Sequence, residues 1–231
     1  MIHFLTWLFP RRCAVCDRVL PGEGMICPDC EKIPVHITGD ICMICGKPVT
    51  GGRALCRDCE KTYHYFRRNL AVFTYDSMKS SLYRFKYGGR CEYARYYAKE
   101  TASCFRKEIL GWQAEAIIPV PLHRTRLRKR GYNQSEVYAR ELGKYFPIPV
   151  ENHLIYRCKK TKPMKLLSRV QRQNNLKKAF IIRQNDVKLN TVILVDDIYT
   201  TGATLDAVAE ECIRAGIKNI YTITIAAGNG N

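Results

Sequence analysis

Residues 192–205, VILVDDIYTTGATL, place a run of four aliphatic side chains, two adjacent carboxylates and a threonine–glycine turn in fourteen positions. An aliphatic, β-branched run with no polar alternation reads as a strand buried on both faces, the situation of parallel sheets. Asp196 and Asp197 stand at its carboxyl end. Beyond them Leu205, Val208, Ala209 and Cys212 recur at i, i+3, i+4 and i+7, and Gly216 offers a stop, so the spacing predicts a helix beginning near Thr201.

A helix start behind a small-residue turn carries free backbone N–H groups that hold a phosphate, and the hydroxyls of Thr200, Thr201 and Thr204 add donors around Gly202 and Ala203. The two carboxylates only accept hydrogen bonds. Beside a phosphate they need hydroxyls in between, which points to a sugar whose 2′ and 3′ hydroxyls face Asp196 and Asp197. A bulky residue at Gly202 is expected to crowd the phosphate. An N-cap or a receiver-type acidic pocket is the alternative, but a receiver carries its acidic pair after the first strand, not near residue 196. The thirteen residues 192–204 resemble the PRPP-binding motif of type I phosphoribosyltransferases, and the resemblance implies PRPP, with Mg²⁺, as ligand.

With 231 residues, 46% of them hydrophobic, the chain can bury one good core plus a small appendage. No apolar run approaches the ~20 residues of a membrane span. The opening MIHFLTWLFP lacks a basic front and a cleavage site, so a cytoplasmic protein is expected. Net charge is +17, and residues 122–188 hold 18 Lys and Arg against 4 Asp and Glu. A solvated face is the bland reading of such a run. With Tyr132, Tyr138, Tyr145 and Tyr156 interleaved, the balance favours a polyanion, with nucleic acid first.

Eight of the twelve cysteines fall before residue 60 as CAVC, CPDC, CMIC and CRDC. Cys13, Cys16, Cys27 and Cys30 map onto Cys42, Cys45, Cys56 and Cys59 by a constant shift of 29. Each quartet reads C-x2-C-x10-C-x2-C, enough for one tetrahedral Zn²⁺ with no position left open for chemistry. Two structural zinc ions are therefore expected, stapling modules too small to fold alone. Pairing within each quartet gives two ribbons, and cross-braced pairing between quartets is the alternative. Cys42→Ser is expected to unfold the second module while the rest stays soluble. Cys91, Cys104, Cys158 and Cys212 show no ligand spacing.

After Cys59 the character changes. Residues 69–76, NLAVFTYD, read as a first strand, and helical stretches follow through SLYRFKYGGR and CEYARYYAKETASCFRKEIL. A buried strand ending at Val120, a basic loop and a helix carrying Val137, Tyr138, Leu142 and Tyr145 come next. Residues 152–178 are basic with little periodicity and read as a loop. The pattern predicts an α/β fold with parallel pairing behind a double zinc ribbon at residues 1–62, and the PRPP-motif resemblance implies that residues 63–231 form a type I phosphoribosyltransferase-like domain, a parallel sheet with helices on both faces.

In order, the paired CxxC modules, FKYGG, PVPLHRTRLRKRGYNQS, LSRVQRQNNLKKAF and the PRPP motif resemble the ComF family of competence-associated, phosphoribosyltransferase-like proteins. The resemblance implies uptake and processing of single-stranded DNA during natural transformation, with a competence helicase or other DNA-uptake proteins as partners. One departure is Met164, where the family usually carries glutamine. Lys86 precedes a Gly-Gly turn and can reach pyrophosphate or DNA phosphate. Arg128, Arg130, Asn133 and Gln134 set cations and amides just ahead of a helix, where an anion is held. Arg169, Arg172 and Asn175 occupy the loop that closes over ligand in the resembled fold.

These residues support two function classes. The first is a DNA-handling protein with a phosphoribose pocket. The second is an enzyme moving phosphoribose from PRPP to an acceptor, for which no acceptor-recognition element is legible; a zinc-dependent docking protein is a third and weaker reading.

Overall fold

Val192, Ile193, Leu194 and Val195 lie in a nine-residue strand, Thr191–Tyr199 (β5), with no exposure on either face. The computed structural model describes residues 10–159, 176, 179–182 and 188–228. Three further strands, Arg68–Thr74 (β1), Ala116–Pro119 (β2) and Asn219–Ala227 (β6), join β5 in the order β1-β6-β5-β2, every pairing parallel. The strand runs two residues past the acidic pair that the sequence put at its carboxyl end. Pairing with β6 continues through Asp196 opposite Thr224 and Tyr199 opposite Ala227, and that ladder keeps the backbone extended past the carboxylates.

Alternation along β5 divides the core. Ile193 and Val195 face one apolar cluster, Val192 and Leu194 the other. The first is closed by three helices, Tyr75–Tyr87 (α1), Tyr93–Gly111 (α2) and Gln134–Leu142 (α4). In α1, Met78, Leu82 and Phe85 recur at helical spacing and are fully buried, each worth about 1.5–3 kcal/mol of transfer from water. The opposite face is closed by Ala203–Arg214 (α5), through Leu205, Val208, Ala209 and Cys212, and by a two-stranded antiparallel hairpin, Ile155–Arg157 (β3) with Phe180–Ile182 (β4).

Residues 121–133, read from sequence as a basic loop, contain a short helix, Arg124–Arg130 (α3). It buries none of its residues, so no apolar period announced it. Its ends are marked instead by His123, whose ring accepts from Thr125 N–H, and by Gly131, left-handed at φ 86°. The helix α4 ends at Leu142, so Tyr145 belongs to the turn beyond it.

The two cysteine modules sit on opposite faces of the sheet. Cys13, Ala14, Val15, Cys27 and Cys30 pack into the cluster under α1 and α2, whereas Cys42, Cys45, Cys56 and Cys59 pack into the cluster under α5. The linker between them explains how. Ile37 N–H donates to Val72 O at 2.8 Å and Thr74 N–H to Val35 O at 2.9 Å, so the chain passes round the open edge of β1 while pairing with it. That edge strand is thereby covered rather than left as a template for other chains.

Each module is anchored by polar groups. On the first, Asp17 takes both Arg90 Nε at 2.7 Å and Nη2 at 3.1 Å, and accepts from Tyr93 Oη at 2.5 Å. On the second, Asn69 at the start of β1 donates its backbone N–H to Ile44 O at 2.6 Å and its amide to Cys45 O at 2.9 Å. Its carbonyl oxygen accepts from Thr222 Oγ1 at 2.8 Å. Asn69, Thr222 and Thr224 have no exposure, so this is a buried polar network whose partners cannot be removed cheaply. Gly46, at φ 70°, would place a Cβ 2.7 Å from Asn69 O, which is why the cysteine turn needs glycine there.

Candidate functional site

The carboxyl ends of parallel strands are where open α/β sheets bind ligands, and there the acidic pair, the threonine turn and the end of α1 meet. Asp197 is buried and its Oδ2 lies 3.0 Å from Lys86 Nζ, on the last turn of α1. Asp196 Oδ1 accepts from Ser135 Oγ at 3.0 Å and from Asp197 N–H at 2.9 Å. Burial, and then the charge of Asp197, push the Asp196 carboxyl up to about 7, against the pull of the Asp197 N–H, Lys86 and Ser135. One acid is thus ion-paired and the other held near neutrality.

Residues 200–204 turn from β5 into α5. Gly202 stands at the N-cap at φ 77° with no side chain capping the helix, leaving first-turn N–H groups without an intrahelical partner. Thr201 Oγ1 is buried and has no hydrogen-bond partner among the described residues. An unsatisfied hydroxyl beside an uncapped helix start fits a ligand rich in acceptors, which a phosphate is. Thr200 is exposed, Thr204 half-buried and Ala203 buried.

The fold supplies its own reason for glycine at 202. A Cβ there would lie 2.5 Å from Tyr199 Oη and 3.1 Å from His64 Cε1, so protein atoms already crowd the position.

The remaining candidates separate into those brought to this edge and those already engaged. Arg130 reaches it from α3, donating to Gln134 Oε1 and lying 4.8 Å over the Tyr87 ring. Arg128 is exposed. Asn133 and Gln134 are buried, and Asn133 caps α4: its Oδ1 accepts from Ser135 N–H at 3.2 Å and its Nδ2 donates to Val120 O at 3.1 Å. The Asn133 amide therefore orients Ser135, and through it Asp196, instead of meeting an anion. Met164, Arg169, Arg172 and Asn175 lie outside the described residues.

None of the tyrosines counted in the basic segment is fully exposed. Tyr138 is fully buried and shares a hydrogen bond of 2.5 Å with Thr101 Oγ1, while Tyr132, Tyr145 and Tyr156 are half-buried. Four other tyrosines are exposed: Tyr63, Tyr65, Tyr83 and Tyr87. Sequence reasoning also gave no role to Ser135, the last residue of PVPLHRTRLRKRGYNQS, or to His64. His64 is buried, its Nε2 lies 3.5 Å from Cys59 Sγ and its Nδ1 2.8 Å from Asp206 Oδ2 in the first turn of α5.

The cysteines assemble as two sequential quartets, Cys13/Cys16/Cys27/Cys30 and Cys42/Cys45/Cys56/Cys59, with the sulfurs of each within 4.8 Å of one another. The pairing is not cross-braced. Tetrahedral Zn–S bonds of about 2.3 Å put sulfurs about 3.8 Å apart. The distances 3.7 Å for Cys16–Cys27 and 3.6 Å for Cys45–Cys56 match that edge, and Cys13 Sγ accepts N–H groups from Val15 and Cys27 as a metal-bound thiolate would. The residues present fit the metal.

Comparison with known proteins agrees with both halves. Residues 4–60 match the double zinc ribbon domain family and residues 128–231 the phosphoribosyl transferase domain family. The chain is similar to Competence protein F of Haemophilus influenzae, 38% identical over 114 residues that cover 48% of this chain and 50% of the relative. It is 33% identical to Competence protein ComFC of Bacillus subtilis over 156 residues, 65% of this chain and 60% of the relative. With the DNA utilization protein YhgH of Escherichia coli O157:H7 it shares 32% over 106 residues, 46% of each chain. The chain spans about half the length of the curated relatives it matches. Among the described residues no helix is long and apolar enough to cross a membrane.

Proposed function

The chain belongs to the ComF family, and from that membership and the site just described we propose a cytoplasmic protein of DNA uptake during natural transformation that binds single-stranded DNA and a PRPP-like phosphoribose ligand. The names of its relatives support the role in competence and DNA utilization. The observation that carries the phosphoribose reading is the pairing of an uncapped helix start and the orphaned Thr201 hydroxyl with two carboxylates a few residues upstream. Phosphate goes to the N–H groups and hydroxyls of residues 200–204, and ribose hydroxyls donate to Asp196 and Asp197. Lys86, now paired with Asp197, is released toward pyrophosphate or DNA phosphate. Mg²⁺ arriving with PRPP would neutralise charge on the pyrophosphate.

In this reading each cysteine quartet holds one structural zinc, and a competence helicase or other uptake protein hands over the strand. Calorimetry with PRPP and Mg²⁺ tests the pocket. The wild type is expected to bind, and the Asp196→Ala, Asp197→Ala double variant to lose binding; equal affinities would remove the acids from the site.

The transferase reading has one observation of its own. A carboxyl near pH 7 is matched to proton transfer at neutral pH, and Asp196 is such a group at the sugar end of the pocket. Pyrophosphate release from PRPP in the presence of single-stranded DNA or a free base measures it directly.

A further inference from the structure

Tyr83 and Tyr87 are four residues apart on α1, and both side chains are more than half exposed, at 60% and 56%. Their rings are 5.1 Å apart and inclined at 50°. Large aromatics left on a surface this way lose hydrophobic stabilisation that the fold does not recover, which marks a contact surface. Arg130 lies 4.8 Å over the Tyr87 ring and extends the platform with a cationic plane. Behind it, α3 carries Arg124, Arg126, Arg128 and Lys129 within seven residues.

The position matters as much as the composition. Lys86, next to Tyr87 in the chain, reaches Asp197 of the proposed phosphoribose pocket. The platform therefore borders that pocket at the same edge of the sheet.

We propose that Tyr83 and Tyr87 stack successive bases of single-stranded DNA, with Arg130 bounding the stack and the strand running from there along α3. The proposal rests on the DNA-binding reading above and places base contacts on helix α1, outside the basic segment. The surrounding cations select a polyanion, and every base offers a ring face, so the binding is indifferent to sequence. A protein partner is the other class of occupant for two exposed tyrosines, but the density of Arg and Lys beside them favours nucleic acid.

Fluorescence anisotropy on the full chain tests this, with labelled oligothymidylate of about 12 nucleotides, inside the ~4–16-nucleotide span of such sites. An abasic phosphodiester of equal length is the control. The wild type is expected to prefer the oligothymidylate. The Tyr83→Ala, Tyr87→Ala variant should lose about tenfold or more in affinity for it, keep its affinity for the abasic strand, and keep its salt slope. Tyr83→Phe, Tyr87→Phe should bind as the wild type does, because the ring face is retained. If the alanine variant binds oligothymidylate unchanged while Arg128→Ala weakens it, the DNA reading stands and the platform falls, leaving the tyrosines to a protein partner. Equal wild-type affinity for both strands also overturns the platform. No wild-type binding to either overturns both readings.

Discussion

His64 Nδ1 lies 2.8 Å from Asp206 Oδ2, and the same carboxylate accepts Tyr65 N–H at 3.0 Å through its other oxygen. Because His64 Nε2 stands 3.5 Å from Cys59 Sγ, the second cysteine quartet is connected through one imidazole to the helix that begins at the threonine turn. The first quartet has its own anchor, Asp17, on the opposite face of the sheet.

That asymmetry gives unequal consequences for two similar substitutions. Asp206→Ala leaves a buried imidazole and the Tyr65 amide without an acceptor, which costs about 1–3 kcal/mol. It should also weaken PRPP binding by loosening the turn. Asp17→Ala should destabilise by a comparable amount and leave PRPP affinity unchanged. Urea melts and calorimetry on both variants make the comparison.

Metal analysis of protein purified without chelator should give about two zinc per chain, by four thiolates per site. The packing determines how far the loss of one ion spreads. Cys42, Cys45, Cys56 and Cys59 share a buried cluster with Val192, Leu194 and Val208, so Cys42→Ser should uncover the α5 face of the sheet. A broad, less cooperative melt of the whole chain is expected, instead of a stable remainder. A single sharp transition at the wild-type midpoint would contradict this.

Asp196 has a raised carboxyl in the folded protein, so folding favours its neutral form. Its contribution to stability is complete below the ordinary carboxylate range near 4 and is lost as pH rises toward about 7, by a few kcal/mol at most. Ligand hydroxyls need the charged form. Affinity for ribose 5-phosphate should therefore climb with pH until about 7 and then level, and Asp196→Asn should remove that climb. The phosphate of the ligand itself titrates near pH ~6, so the difference between wild type and the asparagine variant is the quantity to plot.

Gly202→Ala combines a left-handed backbone with a Cβ 2.5 Å from Tyr199 Oη. Destabilisation of about 1–3 kcal/mol is expected from the forced φ and the contact together. Adding Tyr199→Phe removes the oxygen and should recover part of the loss, the part that belongs to crowding. If the double variant is no more stable than the single, the backbone and the remaining contacts with the Tyr199 ring and His64 account for the loss.

Long-range phosphate contacts are read by salt. Arg128→Ala should flatten the slope of log affinity against log salt by roughly 0.7, the value for one contact to a single strand. Arg130→Ala should do so too and also weaken base-dependent binding, since its guanidinium covers the Tyr87 ring.

The fold was legible in the sequence wherever apolar residues or cysteines formed a local run or repeat. The β5 run, the spacing in α5 and the duplicated cysteine turns all survive in the structure because each is a local pattern. What escaped was of two kinds. Helix α3 buries nothing, so it wrote no period into RTRLRKR. The other kind depends on residues far apart in the chain: Ser135 to Asp196 and His64 to Asp206 are created by the parallel crossovers and by the linker rounding β1. The tyrosines were misjudged for a related reason. Tyr138 sits at a core position of α4, whereas Tyr83 and Tyr87 share the outward side of α1, and burial rather than proximity to charge decided which rings are free.

Strand β6 runs between β1 and β5, yet it is the last of these strands along the chain. During synthesis β1 has no partner in this sheet, and β5 has only β2, until residues 219–227 have left the ribosome. Pairing across this distance is the slow, loop-closing kind. The cysteine modules, made before the sheet, must wait until its last strand emerges before either has a complete face to cover. Early metal capture would keep eight thiols from wrong pairings during that wait, and a nascent chain stalled before β6 would hold loaded ribbons beside an unassembled sheet, open to chaperones and proteases alike.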